Sequence, residues 1–299
     1  MLQQFDERNR DLVVNVAGRL THRDEAAVSP FDSAVQGGDA VWEGLRLYGG
    51  RIFALDEHLA RLRRSAQALA FAQIPSDEEI TEQIRRTLAA NGMTDGVHVR
   101  LTLTRGVKVT SGMDPRLNQS GPTLIVLAEH KPPVYGSQGI TLATSSVRRP
   151  TPDVLDPKIH SNNMINSILA KVEANAAGAD DALLLDARGM IAETNATHLF
   201  LVLGGRLCTP TTDACPEGIT RSTVLRLAAD GGIPYEVGHF SLTQLYSADE
   251  AFVTGTMGEL TPVLAVDGRT IGSGSAGPVT RRLAQDYAAL TASSGTCVL

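Results

Sequence analysis

Along the first fifty positions the apolar residues fall into short runs separated by polar turns. Val13, Val14 and Val16 flank Asn15, a turn follows at Ala17-Gly18-Arg19, and Arg46 through Phe53 is centred on Gly49-Gly50; these patterns predict short strands joined by glycine turns. The period then changes. Leu59, Leu62, Ala66 and Leu69 recur at helical spacing behind Asp56, which is expected to cap that helix. Ser76 with Glu79 makes a capping box for a second helix that stops at Asn91-Gly92. Strands are expected at about 97 to 104 and 123 to 129.

His130 to Ser137 is rich in Pro and Gly between two strand-like runs, so the domain boundary is placed there: residues 1–130, a linker at 131–138, and a larger part at 139–299. The second part opens with a strand near 140 to 147. A helix near 163 to 177 follows, on which Ile165, Ile168, Leu169 and Val172 form one apolar stripe. Then strands dominate: Leu183 to Leu185, Met190 to Ala192 and Leu199 to Val202 lie between turn pairs. Helices near 220 to 229 and 278 to 291 close the set. Long runs of strands with few helices and no regular βαβ alternation argue for an α+β fold with a barrel-like sheet.

A chain of 299 residues with 42% hydrophobic content can bury a large core, which excludes a disordered protein. The formal charge of -6 is spread along the chain with no basic stripe, so nucleic acid is not an expected partner. The start of the chain is polar where a secretory leader needs an apolar run, and no stretch has the length of a membrane span; the reading is a cytoplasmic protein. Cys208, Cys215 and Cys297 stand at unrelated spacings, as free thiols do in a reducing compartment, and give no zinc pattern; no metal is expected.

Gly272-Ser-Gly-Ser-Ala-Gly277 matches a dinucleotide fingerprint, but too few residues follow for the returning strand of a βαβ unit. It is read as a surface loop ahead of Pro278. Lysines are few: Lys108, Lys131, Lys158 and Lys171. Lys158, in Leu155-Asp-Pro-Lys158-Ile-His160, stands in a segment expected to be extended, just before a helix, where a side chain can project into a cleft.

Several ordered motifs carry a resemblance along nearly the whole chain: Gly38 to Arg46, Leu55 to Leu62, Ile168 to Ala174, Ile191-Ala-Glu193-Thr-Asn, Gly218-Ile-Thr220-Arg, Thr254-Gly-Thr256 and Val266-Asp-Gly-Arg. The chain resembles the class IV (fold-type IV) aminotransferases, the family of branched-chain and D-amino-acid transaminases. The resemblance implies a small N-terminal α/β domain, a larger C-terminal barrel-like domain, a homodimer, and pyridoxal 5'-phosphate as cofactor. That cofactor needs a lysine to hold it as an imine, a carboxylate to keep the ring nitrogen protonated, and an anion site for its phosphate. Lys158 would be the lysine and Glu193 the carboxylate. Ile219 and Thr220, opening a helix, would hold the phosphate together with Arg61 and Thr256. Trp42, Arg100 and His160 would line the substrate side, the arginine as a carboxylate partner.

The chain departs from the family in places. Counted strictly from Asn163, the lysine position falls on His160; either the loop bulges to bring Lys158 into place or the imine chemistry is lost. Met164 stands where branched-chain enzymes place a tyrosine, and His198 where an asparagine is common. The expected activity is transfer of an amino group between a branched-chain L-amino acid and a 2-oxoacid such as 2-oxoglutarate. D-amino-acid transamination and aminodeoxychorismate lysis are alternatives on the same scaffold, and a relative that binds the cofactor without an imine is the alternative from another class.

Overall fold

The computed structural model describes residues 3–136 and 138–299; Ser137, inside the segment read as a linker, lies outside the described residues. The chain divides into two compact units. The first is the chain up to Pro132 joined by Ile159–Asn163 and Thr291–Leu299; the second is Pro133–Lys158 with Met164–Leu290.

In the first unit β1 (Val13–Val16), β2 (Arg19–His22), β3 (Ala40–Tyr48), β4 (Arg51–Ile52), β5 (Val97–Thr104) and β6 (Thr123–His130) form an antiparallel sheet in the order β4-β3-β5-β6-β1-β2, with the short helix α1 (Ser33–Gly37) ahead of β3. A strand from the tail, Thr296–Cys297, adds beyond β4. Alternation along β3 and β5 sends Leu45, Leu47, Val99 and Leu101 to one face, where they pack with Leu59 and Leu62 of α2 (Leu55–Ala68) and Ile80, Ile84 and Leu88 of α3 (Asp77–Ala90). Each such side chain contributes about 1.5–3 kcal/mol on burial. The expected capping box is present, with Ser76 Oγ accepting from Glu79 N–H and the Glu79 carboxylate from Ser76 N–H. Asp56 is not the cap of α2. The cap is Ala54, in the left-handed region at φ 52°, and Asp56 sits in the first turn, where its charge still favours the helix N-terminus.

The second unit holds β7 (Ile140–Arg148), α4 (Ile165–Ala176), β8 (Asp181–Leu185), β9 (Ile191–Thr194), β10 (His198–Leu203), β11 (Arg206–Pro210), α5 (Ile219–Asp230), β12 (Tyr235–Gly238), α6 (Leu242–Tyr246), β13 (Glu250–Gly255), β14 (Glu259–Val266), β15 (Arg269–Thr270) and α7 (Pro278–Ser293). The strands follow the order β12-β11-β10-β13-β14-β7-β8-β9, with β15 on β14. The β11/β12, β14/β7 and β7/β8 pairs are parallel and the rest antiparallel. Although β9 ends that order, it returns against β10 and β11, so the sheet curls into a barrel-like form. The fold is α+β, as the runs of strands predicted.

The apolar stripe on α4 does not face the core. Ile165, Ile168, Leu169 and Val172 are all exposed, and the buried side of α4 is Ser167, Ala170 and Ala174, whose small side chains allow close approach to Ala182 and Leu184 of β8. The glycine motif at 272–277 is a turn leading to Pro278, the first residue of α7. Its helix N-terminus is already occupied: the buried Glu250 carboxylate accepts from Val279 N–H, Thr280 N–H and Thr280 Oγ1–H, and a Cβ on Gly277 would lie 2.0 Å from Glu250 Cδ. Among the described residues no helix is long and apolar enough to cross a membrane.

Candidate functional site

In the second unit the turn from β9 to β10 places Glu193 and His198 together. Thr194 fixes that turn: its Oγ1 accepts from Thr197 N–H at 2.9 Å and donates to Thr197 O at 3.0 Å, while Asn195 Oδ1 accepts from Ala182 N–H at 2.7 Å. The buried Glu193 carboxylate meets Arg149 Nη2 at 2.5 Å through Oε1 and His198 Nδ1 at 3.8 Å through Oε2. The His198 ring lies on Gly218, where a Cβ would come 2.3 Å from its Cδ2 and Nε2 atoms; only glycine permits that approach.

Gly218 is also the N-cap of α5, and no side chain caps the helix. The first-turn N–H groups of Ile219 and Thr220 therefore have no intrahelical partner, and the Thr220 side chain beside them is buried. Thr254 pairs with His198 across β13 and β10, and Thr256 stands half-buried in the turn after β13. Gly255, the last residue of β13, lies against Thr197. Glu193, Ile219, Thr220 and Thr256 are thus carried by elements that meet at His198 and the Thr194–Thr197 turn.

Sequence reading did not single out Arg149 or Cys215. Cys215 is buried in the loop before α5 and donates its S–H to Thr211 O at 3.6 Å. Burial pushes its thiol well above the ordinary value, helped by the Glu193 charge and opposed by Arg221, Arg149 and Lys158. Lys158 lies at the end of the Pro133–Lys158 stretch of the second unit. Its Nζ is 3.9 Å from Asp156 Oδ1, and its side chain is partly exposed. Among the described residues, Glu193, His198 and Cys215 form a set of possible metal ligands, their donor atoms all within 4.8 Å of one another.

Residues 157–159 form a turn and a bend, not the extended segment expected around Lys158. Lys158 belongs to the second unit and His160 to the first. Ile159–Asn163 lies along the free edge of β3: Ser161 bridges Val41, Trp42 N–H donates to His160 O at 3.0 Å, and Asn162 N–H donates to Ala40 O at 2.8 Å.

This placement builds a second cluster, in the first unit. The His160 ring stacks on Trp42 with centroids 4.4 Å apart, and its Nδ1 donates to Trp42 O at 2.5 Å, which leaves Nε2 as the unprotonated nitrogen. Burial and the Arg61 charge lower its pKa, opposed by the Glu43 carboxylate 3.4 Å from Nδ1. Arg100 lies over the other part of the site, its guanidinium carbon 4.1 Å from the Trp42 ring and its Nη2 donating to Asn162 Oδ1 at 2.8 Å.

Beneath them Glu43 is fully buried. It accepts a fork from Arg61, Nε to Oε1 at 2.8 Å and Nη2 to Oε2 at 2.6 Å, and meets His58 Nδ1 at 2.6 Å. Burial alone would raise the Glu43 pKa, but the Arg61 charge, the His160 ring and the hydrogen bonds from both together outweigh it and hold the carboxyl well below its ordinary range. The Arg61 fork, expected on a phosphate, is thus engaged by a carboxylate. Glu43 stands inside a quoted motif, but the sequence offered no sign that it and Arg61 would meet.

The family described as amino-transferase class IV matches residues 40–266. The chain is 54% identical over 288 residues to branched-chain-amino-acid aminotransferase-like protein 2 of Arabidopsis thaliana, covering 96% of this chain and 52% of that protein. It thus spans about half the length of that relative. It is 36% identical to the branched-chain-amino-acid aminotransferase of Pseudomonas aeruginosa, with 93% of this chain and 92% of that one covered. Among solved structures it is similar to the T.th. branched-chain amino acid aminotransferase complexed with N-(5'-phosphopyridoxyl)-L-glutamate: TM-score 0.87, 36% identity, 94% of each chain.

Proposed function

Because the chain belongs to the class IV aminotransferase family, we propose that it is a pyridoxal-phosphate-dependent aminotransferase that moves an amino group between a branched-chain L-amino acid and a 2-oxoacid such as 2-oxoglutarate. The observation that carries this reading is the convergence, within the second unit, of a buried carboxylate and a helix N-terminus without a side-chain cap, which meet at the His198 ring packed on Gly218.

When bound, the cofactor supplies an electron sink for the bonds at the substrate's α-carbon. Glu193, steadied by Arg149, would hold a proton on the ring nitrogen. The N–H groups of Ile219 and Thr220, with the Thr220 and Thr256 hydroxyls, would bind the phosphate. Lys158 would carry the cofactor and move the substrate proton. Arg61 fits the phosphate less well than the sequence suggested, since Glu43 holds its fork, and in this reading it supports the floor beneath His160. Trp42 and Arg100 would receive the substrate, the guanidinium pairing with a carboxylate. The protein acts in the cytoplasm, which three unpaired cysteines support, and as a homodimer, which the exposed apolar stripe of α4 supports.

One observation favours a second reading. The residue at the strict lysine position is a histidine, stacked and bonded in place, so the chain could bind cofactor without a covalent link. Borohydride reduction of the cofactor-loaded protein followed by peptide mapping decides between them. The expected result is label on Lys158, lost in Lys158→Ala and kept in His160→Ala, with turnover slowed in the latter. Label on Lys108, Lys131 or Lys171 would refute the assignment of Lys158, and label on no lysine would establish the second reading.

A further inference from the structure

In the function proposed above a phosphate dianion sits at the first turn of α5, and the arginine expected beside it, Arg61, is held by Glu43 in the first unit. Resting on that reading, we propose that Arg221, in the same first turn of α5, supplies the positive charge for this anion. It is a positioning residue: its charge acts through the helix end, and its fork fixes the loop that leads there.

Arg221 is buried, and no carboxylate pairs with it among the described residues, whereas Arg149 is held by Glu193. Burial lowers the Arg221 pKa, opposed by the Cys215 and Glu217 charges, but a guanidinium stays protonated in proteins. A buried cation without a counter-ion is destabilising, and an anion bound nearby offsets that cost. Its position sharpens the point. The N-terminal end of a helix is already positive, so a basic side chain there works against the free helix and in favour of a bound anion.

The residue beside it gives independent support. Thr220 is only 4% exposed, and its hydroxyl has no hydrogen-bond partner among the described residues; a buried donor left open in this way points to a ligand. Arg221 also spans the loop between β11 and α5. Its Nη2 donates to Pro210 O at 2.8 Å and its Nε to Thr209 Oγ1 at 3.3 Å, while Thr209 Oγ1 donates to Leu199 O at 2.9 Å. The start of α5 is thereby tied to the end of β11 and, through it, to β10.

The test uses the full chain, with inorganic phosphate as the probe and isothermal titration calorimetry at fixed ionic strength as the readout. The parent is expected to bind one phosphate, and weaker binding in Thr220→Ala locates it at α5. Arg221→Met should loosen phosphate roughly tenfold, the size of a partly buried charge acting at a helix end. Arg221→Lys keeps the charge but loses the fork, and should stay within about threefold of the parent. Glu217→Gln removes an opposing charge from the exposed position before the N-cap and should tighten binding. Absence of phosphate binding in the parent, parental affinity in Arg221→Met, or a loss in Arg221→Lys as large as in Arg221→Met overturns the proposal. Circular dichroism checks folding. If Arg221→Met does not fold, Glu217→Gln decides, and unchanged or weaker binding there overturns the proposal. Capture of pyridoxal phosphate, read from its own absorption, tests the transaminase reading separately: phosphate bound with these effects but no cofactor captured would refute that reading and leave the role of Arg221 standing.

Discussion

Replacing Glu43 by glutamine removes the charge from the centre of the buried cluster in the first unit while keeping its shape. Two bonds from Arg61 and one from His58 end on this carboxylate. A bond to a charged partner contributes about 1.5–3 kcal/mol against about 0.5–1.5 kcal/mol for a neutral one, so each bond weakens by about 1 kcal/mol. The expected loss is about 3 kcal/mol, at the lower end of the 3–5 kcal/mol typical of breaking a buried ion pair. For a unit of this size that is a fall of about 6–12 °C in melting temperature.

The pH dependence adds a second check on the same variant. Because Glu43 has a folded pKa below its ordinary value of 4.5, its charged form contributes fully above that value and the contribution is lost as pH falls through the folded pKa. Thermal unfolding of parent and Glu43→Gln should therefore differ by a constant amount at neutral pH and converge only well below pH 4.5. A difference under about 1 kcal/mol near pH 7, or one that does not shrink in strong acid, would refute the claim that the ionised carboxylate holds this cluster.

Gly218→Ala places a Cβ 2.3 Å from the buried His198 ring and should cost about 1–3 kcal/mol while weakening cofactor retention; an unchanged melting curve would mean the ring moves freely. Glu193→Gln should keep cofactor through dialysis and lose most turnover, whereas Thr220→Ala should lose cofactor faster than the parent. The opposite pattern would exchange the roles given to these residues. Ile168→Asp puts a charge in the middle of the exposed stripe of α4, and light scattering should read a monomer where the parent reads a dimer. A monomeric parent removes the dimer from the proposal.

Periodicity located the five longer helices and some strands whose apolar runs are buried on both faces, such as β10, but not the five-residue helices Ser33–Gly37 and Leu242–Tyr246 or the buried strand β13. It missed β12, Tyr-Glu-Val-Gly, because three of its four residues are exposed and no apolar alternation marks it. It found α4 but could not tell which side faces the protein, since alanine and serine do not register as an apolar stripe even where they make the contact. At the site, Glu193, Ile219, Thr220 and Thr256 could be picked out because each lies in a short motif of its own. The Arg61–Glu43 fork, the contact of Cys215 with Glu193 and the passage of His160 to the edge of β3 depend on residues far apart in sequence, and no local pattern encodes such meetings. The turn at 157–159 stands where an extended segment was expected, because Asp156-Pro157 before Lys158 favours a turn as readily as a strand.

The tail strand Thr296–Cys297 lies beyond β4, and Val298 is fully buried in the same core as Leu45 and Leu101. The first unit is therefore closed by a segment that the second unit separates in sequence from its other strands, and a sheet completed by so distant a partner pays a large loop-closure cost before that contact forms. Until the strand docks, the edge of β4 stands open to pairing with other chains, so the seam between β4 and Thr296–Cys297 is where an incompletely folded molecule is most exposed to aggregation.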